Sequence, residues 1–175
     1  MMNLIKSVAI LSLSALSFMT QAAQVPSEVV LGGVSYAVNP EERPSVVDQT
    51  LSIDVTQEEN EQVEKHGFAS AFAFDFKCRL TSKNTFYFTN VRPNDLQLVY
   101  TFDQTCANKY IEAKLTNLSN GSLDLYLTDS TGNEIVDGPT SWVLVPLPVG
   151  TYHLFVVNSS SSQRGDGYVD TKVTL

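Results

Sequence analysis

The sequence predicts an all-β protein: an antiparallel β-sandwich, jelly-roll-like, with about 8–10 strands and one disulfide. Three observations carry this. Short runs alternate apolar and polar residues, as strands with one wet face do. Glycine, proline and asparagine turns separate them at roughly ten-residue spacing. Helical periodicity is almost absent.

Residues 1–23 read as a targeting segment. Lys6 supplies a positive charge, Val8 to Met19 is apolar with small serines and alanines, and Thr20 to Ala23 offers small residues for cleavage. This is the pattern of a secretory signal peptide. Its apolar run is about a dozen residues, short of the roughly 20 that span a bilayer. The expectation is an exported protein, periplasmic or secreted, with no stable membrane insertion after cleavage. The expected organisation is a signal peptide over 1–23, N-terminal strands and an acidic loop over 24–66, and the sandwich over 67–175.

Candidate strands run from Val29 to Val38 and from Val46 to Val55, among prolines that argue for edge or linker positions. From Gln57 to Lys65 a single apolar residue appears in an acidic stretch, which predicts a solvated loop or one helical turn. Phe68, Phe72, Phe74, Phe76, Cys78 and Leu80 then share one parity, opposite Asp75, Lys77 and Arg79, which predicts a strand with an aromatic inner face. Phe86 to Val91 and Leu96 to Phe102 flank Arg92-Pro-Asn-Asp95, a tetrapeptide of turn residues that predicts a hairpin. Later strands are expected at Tyr110 to Leu118, Leu123 to Thr128, Trp142 to Leu147, Tyr152 to Asn158 and Tyr168 to Leu175.

The chain carries two cysteines, Cys78 and Cys106. An even count in an oxidising compartment predicts a bridge between them, whereas a metal site would need further ligands that the spacing does not supply. The formal charge is −8. Without a basic stripe to release counterions, that balance excludes a nucleic-acid partner.

An inventory of reactive groups points away from catalysis. His66 and His153 are the two histidines, no Gly-x-Ser-x-Gly elbow occurs, and no paired spacing supports a three-ligand zinc site. The expectation is no enzyme and no catalytic residue. His153 reads as an exposed or partly buried structural histidine. Asp129-Ser-Thr-Gly-Asn133 lacks the glutamate and flanking helices of a calcium loop and reads as a turn with Gly132 at positive φ. No cofactor is expected. A weak calcium site from Asp124, Asp129 and Asp137 is a metal candidate, beside capture of calcium by the acidic run from Gln57 to Lys65. Arg164-Gly-Asp166 reads as turning the chain into the last strand, within an exposed and mobile loop. Asn117, Asn120 and Asn158 each open an Asn-x-Ser sequon, which matters in a glycosylating host. Tyr126 lies on the parity opposite Leu123, Leu125 and Leu127, so it is expected to face solvent as the candidate ligand-binding residue. Trp142, between apolar neighbours, is expected in the core.

Leu-Asp-Leu-Tyr-Leu-Thr-Asp-Ser-Thr-Gly-Asn over 123–133, with Val-Pro-Leu-Pro-Val-Gly-Thr-Tyr-His-Leu-Phe-Val over 145–156, resembles the bacterial pre-peptidase C-terminal domain. That family shows an Asp-Leu-Tyr-Leu strand, an Asp-x-x-Gly turn and a Pro-x-Gly-Thr-Tyr lead into a later strand. The resemblance covers about Leu115 to Leu175. It implies a small non-catalytic sandwich on exported proteins, in some cases binding extracellular polymers. The functional expectation is a binding module for an extracellular or periplasmic protein or polysaccharide. The alternative is a structural or accessory subunit joined through an edge strand, and a small hydrolase ranks third.

Overall fold

The computed structural model describes residues 25–39, 41, 44–53, 78, 80–136 and 139–174. The leader, the acidic run, His66, the aromatic stretch before Cys78 and Asp137 lie outside the described residues.

Ten strands are described, in chain order: β1 (Glu28–Leu31), β2 (Val34–Ala37), β3 (Ser45–Ile53), β4 (Leu80–Val91), β5 (Asp95–Gln104), β6 (Lys109–Asn117), β7 (Leu123–Asp129), β8 (Trp142–Leu147), β9 (Gly150–Asn158) and β10 (Gly165–Thr174). They form a five-stranded sheet in the order β3-β4-β10-β6-β8, a three-stranded sheet β5-β9-β7 and the hairpin β1-β2. All pairings are antiparallel. The two larger sheets form the sandwich.

Alternation builds the space between the sheets. Phe86, Phe88, Ile111, Ala113, Leu115, Val143, Val169 and Val173 point inward from the five-stranded sheet. Leu123, Leu125, Leu127, Tyr152, Leu154 and Val156 meet them from the three-stranded sheet. Phe86 and Tyr100 face across the gap with ring centroids 4.9 Å apart, and Tyr100, Phe102 and Tyr152 continue the aromatic ladder.

β4 and β5 are not a hairpin. They lie in different sheets, so Arg92 to Asp95 carries the chain across the sandwich rather than back along one layer. Turn chemistry is present, with the Asp95 N–H donating to the Arg92 carbonyl (3.2 Å) and Asn94 at φ 56°. What differs is the destination, because the inward faces of β4 and β5 both need cover and each finds it by facing the other sheet.

The Cys78–Cys106 disulfide closes the far end of this arch, joining the residues just before β4 and just after β5. Such a bond belongs to an oxidising compartment outside the cytoplasm. Beside it Gln104, 1 % exposed, donates from Nε2 to the carbonyls of Cys106 and Thr174, both at 2.8 Å, and ties β5 to the end of β10.

The hairpin β1-β2 adds a third layer. Its turn is Gly32-Gly33, both at positive φ, where a side chain would be strained. Val29, Leu31 and Val38 are buried against Leu96, Leu98, Tyr126, Phe155 and Val157 on the outer face of the three-stranded sheet. A bulge between Leu98 and Tyr100 lets one strand serve both cores. Leu96 and Leu98 face the hairpin, whereas Phe102, of the same parity, faces the other sheet.

Two stability predictions follow from this packing. Reducing the disulfide, which closes a 28-residue separation, is expected to lower stability in urea unfolding by about 3–4 kcal/mol, the loop-closure value. At Gly167 a Cβ would stand 2.5 Å from the Thr116 carbonyl oxygen and 2.9 Å from the Phe88 ring, so Gly167→Ala should destabilise by about 1–3 kcal/mol in the same assay.

Candidate functional site

Tyr126 is not a surface residue. It does leave the inter-sheet core, as its parity requires, but its ring enters the second core beneath the hairpin and is 6 % exposed. Tyr36 packs against that cluster, and the Gly32 N–H donates to Glu134 Oε2 (3.1 Å). Burial, then the Asp124, Glu134 and Tyr36 charges, push the Tyr126 phenol upward. Burial and then Asp124 do the same to Tyr36. Both rings therefore stay protonated at neutral pH. The site residue chosen by alternation is a layer contact, because a sheet face that reads as wet within one strand is covered by a distant hairpin.

Asp124 and Asp129 are held apart. Asp124 and Asp129 are five residues apart on β7, on opposite faces, about 16 Å along the strand. Asp124 accepts from Ser159 Oγ (2.9 Å). Asp129 closes its turn, accepting at Oδ1 from Thr131 N (2.8 Å), Thr131 Oγ1 (2.7 Å) and Asn133 N (3.0 Å), and at Oδ2 from Asn133 Nδ2 (2.9 Å). Gly132 takes φ 88°, as the turn reading requires. Burial raises the Asp129 carboxyl, but the hydrogen bonds from Thr131 and Asn133 outweigh it and lower the pKa to about 2. Among the described residues, no group of three His, Cys, Asp or Glu side chains is placed to hold a metal ion.

His153 is fully buried, deeper than the sequence suggests, with Nδ1 3.0 Å from Thr101 Oγ1. It occupies the middle strand between Thr101 and Thr128. Asn158 is also fully buried; its Nδ2 donates to the Val91 and Gln163 carbonyls, which takes that sequon away from the surface. Arg164 and Asp166 are anchored rather than mobile. Arg164 Nη1 donates to Asn90 Oδ1, and Asp166 Oδ1 accepts from the Asn90 N–H (2.6 Å), which pins the start of β10 beside β4.

Exposed aromatics gather on the outer face of the five-stranded sheet. Trp142 is 53 % exposed, not in the core, and Leu144 on β8 and Tyr110 on β6 are exposed on the same face. The register explains this: Trp142, Leu144 and Pro146 share the outward parity, while Val143 and Leu147 fill the core. Trp142 pairs with Lys114 and Pro146 with Tyr110, which sets the two rings about 13 Å apart along the strands. Toward the other edge Tyr87 and Tyr168 pair with ring centroids 5.2 Å apart. Between these aromatics lies a groove of about 520 Å³ lined by Lys83, Lys114, Lys172, Glu112 and Asp170.

No family model matches the chain, and no curated protein matches it in sequence.

Two measurements check these placements. Tyr126→Ala is expected to cost about 3 kcal/mol in urea unfolding, as a buried aromatic does and a solvent-facing one does not. Asp129→Ala should cost about 1 kcal/mol at pH 7. Because the folded pKa lies below the unfolded value of 3.8, this contribution is present above pH 4 and fades as pH falls through about 2, so wild type and variant should converge there.

Proposed function

We propose that this protein is an exported, non-catalytic module that binds a polysaccharide across the outer face of its five-stranded sheet, in the periplasm or outside the cell. One observation carries the proposal: the chain's single tryptophan, Trp142, stands more than half exposed on a strand whose other face, Val143 and Leu147, is buried. Burying a large side chain stabilises by about 1.5–3 kcal/mol, so an exposed one forgoes that stabilisation. An aromatic ring on a flat, wet sheet is suited to stack on the apolar face of a sugar ring while nearby polar groups bond its hydroxyls. Tyr110 and the Tyr87–Tyr168 pair supply further ring surfaces on the same face. The resemblance to the pre-peptidase C-terminal domain, in some members a polymer binder, agrees with this reading.

A second reading has its own observation. β3 is an edge of the five-stranded sheet, and among the described residues nothing pairs with its outer side. Val46, Val47 and Leu51 are 54 %, 64 % and 59 % exposed on it. The strand contains neither lysine nor proline, and its guards against strand addition are a bulge between Val46 and Asp48 and the Asp48 charge. Such an edge suits an accessory subunit that joins a surface assembly by β-addition.

The two readings separate experimentally. In affinity gels carrying soluble polysaccharides, Trp142→Ala with Tyr110→Ala should abolish retardation without changing the melting temperature, whereas Val47→Lys should leave it intact. If instead Val47→Lys converts an oligomer to a monomer in size-exclusion chromatography and no polysaccharide retards the wild type, the accessory-subunit reading replaces the first.

A further inference from the structure

The cross-strand register places two like charges directly opposite one another in the middle of the outer face: Lys83 on β4 faces Lys172 on β10. Both side chains are exposed. Such a pair is destabilising in a sheet unless something negative sits between its members. The neighbours of Lys83 in its own row are Thr50 and Lys172, so its row brings it no carboxylate. Lys172 has Glu112 on its other side, and Lys114, one row away, has Asp170. Asp170 Oδ1 in turn accepts from Thr85 Oγ1 (2.7 Å). Asp48, beside Thr85, completes the acidic groups lining the groove.

Three ammonium groups thus share one groove with three carboxylates in a chain of net charge −8. The lysines stand between the two aromatic zones, with Lys114 in register with Trp142 and Lys83 two outward positions from Tyr87. We propose that the polysaccharide taken by this face is anionic, with a carboxylate or sulfate group seated between Lys83 and Lys172 while the aromatic rings carry the sugar faces. This rests on the polysaccharide reading above and names its ligand class. The negative net charge repels polyanions in general, so attraction arises where the local lysines and the stacking rings act together.

Trp142 is the single tryptophan, so its fluorescence reports directly from this face. The full chain is titrated at low salt with polygalacturonate, dextran sulfate and uncharged dextran. The expected result is a saturating change in emission with one or both acidic polymers and a much weaker one with dextran. Response to one acidic polymer alone assigns the anion as carboxylate or sulfate. Raising NaCl to about 0.5 M should weaken binding severalfold, because these charges are exposed and screened. Lys83→Gln with Lys172→Gln should weaken it about tenfold, with an unchanged or higher melting temperature, since a like-charge pair is removed. Equal affinity for charged and uncharged polymers, or a double variant that binds as wild type does, overturns the anionic assignment and leaves the polysaccharide reading standing. No response of Trp142 to any of the three polymers overturns both.

Discussion

The arch made by β4 and β5 is the constraint on which the sandwich depends. One strand belongs to each sheet, the Arg92 to Asp95 turn joins them at one end, and the Cys78–Cys106 bond joins them at the other. The two layers are therefore covalently connected at both ends of a single strand pair, and the apolar rows between them have a fixed separation to fill. Phe86 against Tyr100 spans that separation, and Gln104 finishes the disulfide end by bonding carbonyls from two segments. A buried glutamine amide with two backbone acceptors holds geometry more strictly than apolar contact, because a displaced donor would be left dry and unpaired.

The third layer divides the molecule's surfaces. The hairpin covers the outer side of the three-stranded sheet and leaves the broader five-stranded sheet to present charges and rings to water. A buried Tyr126 on one side and an exposed Trp142 on the other follow from this one placement. Composition alone does not reveal it.

Much of the architecture was legible from local pattern. The parity of β7, the Gly132 turn, the boundaries of β8 and the cysteine pairing all follow from residues close in sequence or few in number. The failures share a cause, since each depends on a partner far along the chain. Tyr126 reads as wet until Val29 and Leu31, about a hundred residues earlier, are laid over it. Turn residues 92–95 specify a reversal but not whether the returning strand pairs or crosses. The β5 bulge flips parity without any glycine to announce it. Pro146 marks β8 as an edge strand, where a missing N–H is tolerated, but which parity of β8 faces water is decided by the distant core that Val143 and Leu147 enter.

The strand order carries a consequence for the timing of folding. β10, last in chain order, lies in the middle of the five-stranded sheet, between β4 and β6. Until it arrives, those two strands have no common partner and the large sheet cannot close. Long-range closure of this kind is slow. With β4 and β6 both waiting on one later strand, the five-stranded sheet forms as a unit rather than by adding strands in chain order.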